Sequence, residues 1–171
     1  GVVAGDVLLG LASNGVHSNG YSLVRKLVEL SGLGWDADCP WGDGTLGQAL
    51  LAPTRLYVKQ SLAAVRAGGV HALAHITGGG LTENLPRVLP EGMGAAIDLD
   101  TWELPGVFGW LMQTGGMEQA EMLKTFNCGV GMILSVSAER ADALTALLQA
   151  EGETVYRLGH VTADAGMAYS G

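Results

Sequence analysis

Residues 6–31 read DVLLGLASNGVHSNGYSLVRKLVELS, and the hydrophobic pattern changes in the middle of this stretch. Residues 6–12 form a short, mostly apolar run that ends in Ser-Asn-Gly at 13–15, as is typical of a buried strand leading into a loop. From Asn19 onward the apolar side chains recur at helical spacing, with Arg25 and Lys26 on the opposite face. The stretch therefore predicts a strand, a glycine-containing loop and an amphipathic helix, in that order.

The loop itself, GVHSNGY at 15–21, combines residue types that suit a ligand site. Its glycines permit positive φ angles and close backbone approach, and Ser18 or Asn19 can cap a helix whose first free N–H groups point outward. His17 can supply a proton or a hydrogen bond, and the Asn19 amide can recognise a polar substrate. An ordinary capped turn has the same local pattern, so the loop alone leaves both interpretations open.

The same order of elements recurs around HITGGGLTEN at 75–84. Residues 70–76 are typical of a strand and TGGG at 77–80 of a loop, and a short helix begins at Leu81 and is disturbed by Pro86. Three successive glycines carry an entropic cost that a simple connection does not need, and consecutive amides form the kind of nest that binds phosphate. No lysine follows as in a phosphate-binding loop, and the spacing is not that of a dinucleotide fingerprint.

The rest of the chain continues this alternation of strands and helices, which predicts an α/β domain spanning residues 1–171 with a mixed β-sheet layered with helices. Residues 31–47 lack periodicity and predict an irregular surface excursion. The remaining predicted elements are helices at 58–67, 105–112, 118–126 and 138–150, and strands at 93–99, 130–136 and 154–161.

The composition limits the possible functions. Charged residues make up 15% of the chain, against about 25% in ordinary soluble domains, which predicts apolar surface that faces a partner. A net charge of -8 argues against a long nucleic acid as ligand, although backbone amides can still bind a small anion. No apolar run is long enough to cross a bilayer, so we expect a soluble, cytoplasmic protein. The first residues, GVVAGDVLLGL, lack an initiator Met and a signal sequence and suggest a fragment of a longer chain.

Other candidate site residues have competing interpretations. Cys39 and Cys128 are far apart and match no metal-ligand spacing, and a nucleophilic Cys128 would need a base that the sequence does not provide. His71 and His75 have a four-residue spacing, but no carboxylate completes a metal motif, so we predict no metal site. Asn84, next to the triple glycine, lines the same pocket or belongs to a solvated first turn.

Four stretches together resemble the C-terminal domain of the phosphoribosylformylglycinamidine cyclo-ligase family, also called aminoimidazole ribonucleotide (AIR) synthetase. They are GLASNGVHSNGYSLVRKLVE at 10–29, HALAHITGGGLTENLPRVLPEGMGAAID at 71–98, MLKTFNCGVGMILSV at 122–136 and VYRLGHV at 155–161. Single motifs are shared with formylglycinamidine ribonucleotide synthase, thiamine-monophosphate kinase and related enzymes. Val16 stands where the cyclo-ligases usually have Pro, which affects only the rigidity of the loop.

This resemblance implies an ATP-dependent enzyme that closes the imidazole ring of aminoimidazole ribonucleotide in purine biosynthesis. It further implies an N-terminal half that handles ATP and Mg²⁺ and builds much of a homodimer, with the present chain as the substrate-binding half. Another member of the superfamily, or a non-catalytic binding or assembly module, is the alternative. Our hypothesis assigns catalysis to His17, Asn19 and His75, and substrate binding to Ser18, Gly20, Tyr21, Thr77, Gly78, Gly79, Gly80, Asn84 and Asn127.

Overall fold

The centre of the fold is a six-stranded β-sheet, seen in a computed structural model that describes residues 1–171. The strand order is β2-β4-β1-β5-β3-β6. Only β3 and β6 run parallel to each other, and every other neighbouring pair is antiparallel, so the mixed α/β architecture is confirmed. The strands are β1 (Val7–Ala12), β2 (Val70–His75), β3 (Gly94–Asp98), β4 (Val130–Val136), β5 (Val155–Thr162) and β6 (Gly166–Ser170).

The central strand β1 is apolar along its whole length because both faces of the sheet are covered. Leu9 and Leu11 pack with helices α3 (Val58–Ala67) and α7 (Ala141–Ala150) on one face. Leu8 points to the other face and joins a cluster that includes Leu81 and Leu85. Burial of both faces explains why the strand reads as a continuous hydrophobic run rather than an alternating one.

Four other helices pack into a third core around Phe108 and Phe126, both fully buried. Within this core α1 buries Val24, Leu27 and Val28. No helix of the chain is both long and apolar enough to cross a lipid bilayer. The helices of this core are α1 (Tyr21–Ser31), α2 (Leu46–Leu50), α5 (Gly106–Gly115) and α6 (Gln119–Thr125), whereas α4 (Gly80–Asn84) contributes Leu81 to the cluster around Leu8.

Two elements differ from the sequence-based expectation. Helix α2 begins at the end of the predicted irregular excursion, because Thr45 and Gln48 form a reciprocal capping box that starts a helix too short to show a period. Strand β6 follows the expected last strand and is held by parallel pairing with β3. Its Tyr169 hydroxyl also lies 2.8 Å from Thr82 Oγ1. Helix α2 thus depends on a single local capping motif, and strand β6 depends on contacts that are distant in sequence.

Candidate functional site

The two strand-to-helix connections leave the sheet at the same edge. Strands β1 and β2 lie on either side of β4 and are both antiparallel to it, so they run in the same direction. Ala12 at the end of β1 pairs with Val130, and His75 at the end of β2 pairs with Met132. Residues 13–20, which we name the first corner, therefore emerge beside residues 76–80, the second corner.

The two corners also share one neighbour, Phe126 at the end of α6. A methyl group added to Gly20 would lie 2.7 Å from Cε1 of the Phe126 ring. A methyl group added to Gly80 would lie 2.7 Å from the Phe126 carbonyl oxygen and would overlap the carbonyl oxygen of Leu123. Glycine at each position thus permits a close backbone approach. The fold brings the HSNG and TGGG motifs to one place on the molecule.

The backbone of the first corner has an unusual conformation. His17, Ser18 and Gly20 have φ angles of 56°, 61° and 69°, in the left-handed region. Gly20 is the N-cap of α1 and no side chain caps this helix. The expectation that Ser18 or Asn19 caps α1 is therefore wrong, because the cap position belongs to a residue without a side chain. The Ser18 side chain is exposed to solvent instead.

His17 is the buried centre of the first corner, with 3% of its surface exposed. Its Nε2 atom lies 2.6 Å from Oδ1 of Asn14 and 3.1 Å from the Asn14 backbone nitrogen. The backbone nitrogen of Arg55 is 3.4 Å from the same Nε2. Burial, followed by the nearby His75 and Arg55, lowers the pKa of His17 to about 4. The ring is thus neutral at neutral pH.

Tyr57 connects His17 to His75. Its ring centroid is 6.2 Å from that of His17 and 6.3 Å from that of His75. Its hydroxyl donates a 2.8 Å hydrogen bond to the carbonyl oxygen of Ala12, and burial raises the pKa of Tyr57. Tyr57, Ser61 and His75 line a groove of about 330 Å³, the α3 groove, between α3 and β2. Sequence analysis missed Tyr57 because it belongs to neither motif.

Arg55 and Glu153 form an ion pair beside this site that sequence analysis also missed. The Glu153 side chain is fully buried and the Arg55 side chain is 35% exposed. Arg55 Nε donates to Glu153 Oε2 at 3.1 Å and Arg55 Nη2 donates to Oε1 at 3.1 Å. These hydrogen bonds raise the pKa of Arg55. The pair joins the segment before α3 to the segment before β5 and so positions the Arg55 backbone nitrogen next to His17.

We expect Arg55→Met to lower the free energy of unfolding by about 2 kcal/mol, because it leaves the buried Glu153 carboxylate without its partner. Urea denaturation at pH 7 measures the change. Arg157→Met is the matched control, since Arg157 is 58% exposed and its partner Asp142 is 97% exposed, and we expect a change within about 0.5 kcal/mol. Equal losses in the two variants would contradict a structural role for the Arg55 pair.

The second corner is organised by the buried amide of Asn84. Its Nδ2 donates to the carbonyl oxygens of Thr77, Gly78 and Gly80, at 3.1, 3.1 and 2.8 Å. Its Oδ1 accepts a 3.1 Å hydrogen bond from Thr77 Oγ1. The amide of Gly80 donates to Thr77, whereas those of Gly78 and Gly79 donate to no other residue of the chain. With the carbonyl oxygens engaged by Asn84, these two amides are available to an external acceptor.

Residues 3–170 match the family model described as AIR synthase related protein, C-terminal domain. The chain belongs to this family. The family assignment confirms the resemblance inferred from the sequence at the level of the AIR synthase superfamily.

Solved structures with this fold include several enzymes. Thiamine-monophosphate kinase from Stenotrophomonas maltophilia is 18% identical, with a TM-score of 0.66 over 99% of this chain and 51% of that protein. Escherichia coli HypE, a hydrogenase maturation protein, is 20% identical, with a TM-score of 0.68 over 99% of this chain and 48% of that protein. Thermotoga maritima PurL, complexed with AMPPCP, is 14% identical, with a TM-score of 0.56 over 99% of this chain and 24% of that protein.

This AIR synthase-related domain spans about half the length of the kinase and HypE structures, as the coverages of 51% and 48% show. At these identities the likeness shows a shared fold.

Several predicted site residues of this AIR synthase-related domain form hydrogen bonds that hold the two corners in place. Asn127 is fully buried, and its Nδ2 donates to Gly15 O at 2.8 Å while its Oδ1 accepts from Ser13 Oγ and the Gly129 backbone nitrogen. Tyr21 donates its hydroxyl hydrogen to the carbonyl oxygen of Leu50. Together with Gly20, Gly80 and Asn84, these residues shape the corners. The predicted site residues with exposed or half-buried positions are Ser18, Asn19, Gly20, Tyr21, His75, Thr77, Gly78 and Gly79.

Cys128 is buried next to this site. Burial raises the pKa of its thiol to about 12, so thiolate is almost absent near neutral pH. We expect iodoacetamide at pH 8 to leave Cys128 unmodified in the folded protein and to modify it after denaturation in urea. Mass spectrometry of the tryptic peptide measures the modification. Rapid alkylation of the native protein at Cys128 would contradict this environment.

Proposed function

We propose that the chain is the C-terminal, substrate-binding half of an ATP-dependent cyclo-ligase that converts formylglycinamidine ribonucleotide to aminoimidazole ribonucleotide. The observation that carries this proposal is the convergence of the HSNG and TGGG corners at one sheet edge, both packed on Phe126. The family assignment and the four sequence stretches that resemble the cyclo-ligases support it. In this reaction the γ-phosphoryl group of ATP is transferred to the formyl amide oxygen. The amidine nitrogen then attacks the formyl carbon, and phosphate leaves as the ring closes.

The free amides of Gly78 and Gly79 are our candidates for the ribose phosphate of the substrate. A chain with net charge -8 can bind a phosphate through backbone dipoles, without a cluster of cationic side chains. Ser18 and Thr77 supply hydroxyl groups on the two corners, and Ser18 is exposed. Ring closure from a positioned substrate draws on proximity, worth about 7 to 11 kcal/mol at best, rather than on a covalent nucleophile. A site of amides and neutral donors therefore suits this chemistry.

His17 and Asn19 are our candidates for orienting the reacting amide. The neutral, buried His17 can hold a polar group in place. His75 lies across Tyr57 on the wall of the α3 groove and is exposed, so it is the better placed of the two histidines to exchange a proton with solvent. We assign orientation to His17 and proton exchange to His75.

ATP and Mg²⁺ are proposed to bind mainly to a domain that precedes this chain in the complete protein, which we also propose to be a homodimer. No group of three or more His, Cys, Asp or Glu side chains in the chain is arranged to hold a metal ion. We therefore assign no magnesium ligand here and derive no step through the metal. The contribution of this half is to bind and orient the ribonucleotide.

The direct test incubates the complete natural protein with formylglycinamidine ribonucleotide, ATP and Mg²⁺. We expect aminoimidazole ribonucleotide, ADP and phosphate to appear in equal amounts, measured by mass spectrometry and phosphate release. A parallel incubation with thiamine monophosphate in place of the ribonucleotide tests the second candidate, a small-molecule kinase, which the shared fold with thiamine-monophosphate kinase brings forward. Thiamine diphosphate in that incubation, with no imidazole product in the first, would replace the cyclo-ligase proposal.

A variant of Gly78 tests the phosphate-binding role separately from folding. A methyl group at Gly78 would have no atom within 4 Å, so Gly78→Ala should fold normally. Because the new methyl group would extend into open space next to the two free amides, we expect KM for the ribonucleotide to rise about tenfold or more, equivalent to about 1.4 kcal/mol. Gly42→Ala, which also adds a methyl group in open space, is the control and should keep the wild-type KM. An unchanged KM for Gly78→Ala would remove this corner from the site.

A further inference from the structure

Two buried side-chain polar atoms in the protein have no hydrogen-bond partner, and both lie around Tyr57. They are Nδ1 of His17 and Oγ of Ser61. The His17 ring centroid is 6.2 Å from that of Tyr57, and Ser61, one helical turn after Tyr57, shares the lining of the α3 groove with it. Buried polar atoms are almost always paired in folded proteins. Unpaired atoms grouped around one side chain point to a partner that binds there.

The contacts of His17 determine which ring nitrogen carries the proton. The backbone N–H groups of Asn14 and Arg55 both point at Nε2, at 3.1 and 3.4 Å. A backbone nitrogen can only donate, so Nε2 must accept and carries no proton. The Asn14 side chain, 2.6 Å from Nε2, donates to it when its amide is turned so that Nδ2 occupies this position. The proton of the neutral ring is therefore on Nδ1.

We propose that His17 is a neutral hydrogen-bond donor whose Nδ1–H meets an oxygen atom of the ligand bound between the two corners. The ligand must present an acceptor at this point, such as a phosphoryl or carbonyl oxygen, because an N–H or O–H group there would leave two donors facing each other. The inference rests on the proposed function for the position of the ligand. The tautomer follows from the two backbone contacts, together with an Asn14 amide turned so that its Nδ2 faces the ring.

A neutral donor differs from a general acid, since it stabilises charge on the ligand oxygen without giving up its proton. His75 on β2, Arg55 before α3 and the Tyr57 hydroxyl surround the ring. Burial, together with the two nearby basic groups, keeps His17 uncharged, so protons for the reaction come from another group. Nδ1 is buried, so the proposal requires the first corner to shift when the ligand binds, and Ser18 lies on the solvent-exposed side of this corner.

The tautomer can be measured by NMR on the protein labelled with ¹⁵N-histidine, with the His17 signals assigned through His17→Gln. We expect a protonated Nδ1 and an unprotonated Nε2 from pH 5 to pH 8, and a shift of the Nδ1–H resonance when inorganic phosphate is added. Should His17→Gln not fold, His71→Gln, His75→Gln and His160→Gln assign the remaining signals by elimination. A proton on Nε2, a charged ring in this pH range, or an Nδ1–H resonance indifferent to phosphate would each overturn the proposal.

Variants of the complete natural protein separate a donor from a proton-transfer group. Asparagine places its Nδ2 close to the position of histidine Nδ1, and it tolerates the left-handed backbone found here, φ 56°. We expect His17→Asn to keep the kcat within about tenfold of wild type, and His17→Asp, which offers only acceptors, to lose a factor of about 10² or more. Equal losses in both variants would contradict the donor role. If the wild type makes no imidazole product at all, the proposed function fails, while the NMR result still decides the tautomer.

Discussion

Replacing Gly80 with alanine is expected to lower the free energy of unfolding by about 3 kcal/mol or more. Gly80 has a φ angle of 60°, which disfavours any residue with a Cβ atom by about 1 to 2 kcal/mol. The added methyl group would also overlap the carbonyl oxygen of Leu123 and lie 2.7 Å from that of Phe126. Both are backbone atoms at the end of α6 and cannot rotate away as a side chain can, so overpacking adds about 1 to 3 kcal/mol.

Urea denaturation of Gly80→Ala beside Gly78→Ala measures this effect. The two glycines belong to the same triple, but a methyl group at Gly78 would have no atom within 4 Å. We therefore expect the control to unfold within about 1 kcal/mol of wild type. If Gly80→Ala were as stable as Gly78→Ala, this result would contradict the close approach of α4 and α6 that brings the two corners together. The comparison thus tests the geometry on which the shared site depends.

The second large effect is a loss of stability in mild acid that depends on His17. Its pKa is about 4 in the folded protein, compared with 6.5 for an unperturbed histidine. Because the unfolded chain binds a proton at higher pH than the folded one, this contribution is complete above pH 6.5 and declines as the pH falls toward 4. The total loss is about 3 kcal/mol, of which about 2 kcal/mol falls between pH 6.5 and pH 5.

The measurement is the unfolding free energy of wild type and His17→Gln at intervals between pH 5 and pH 7.5. Glutamine does not titrate, so this variant should lack the His17 part of the slope. The difference between the two curves isolates His17 from the carboxylates and the other histidines. Parallel curves would mean that His17 is solvated or charged in the folded protein, contrary to its 3% exposure.

The order of strands and helices could be predicted because each element carries its own periodicity. The helix at 58–67 and the strand at 130–136 begin and end where the sequence places them. Strands β1 and β2 run in the same direction and end at the same edge of the sheet. For this reason the two similar motifs that follow them contribute to one candidate site. The capping of α1 was predicted wrongly because the N-cap residue is Gly20, which has a left-handed backbone and packs closely on Phe126, a contact that no local pattern records.

Tyr57, Arg55 and Glu153 could not be predicted, because their significance comes from what they touch across the fold. Arg55 and Glu153 lie 98 positions apart, and their ion pair forms only when the segments before α3 and β5 meet. Nothing in the sequence around either residue indicates a partner. Likewise, Asn84 and Asn127 are recognisable as amides in the motifs, but only their contacts show that they hold the loops rather than an open surface.

By itself, the sequence determined the mixed α/β class, the two glycine-rich corners and membership of the AIR synthase-related family, since these follow from periodicity, local backbone freedom and motif order. Only the tertiary structure decided which side chains are buried, that Nδ1 of His17 has no partner, and that Gly80 must lack a side chain. The physical reason is that burial and hydrogen bonding at a corner depend on atoms from α3, α6 and β4, which lie far from the motifs along the chain.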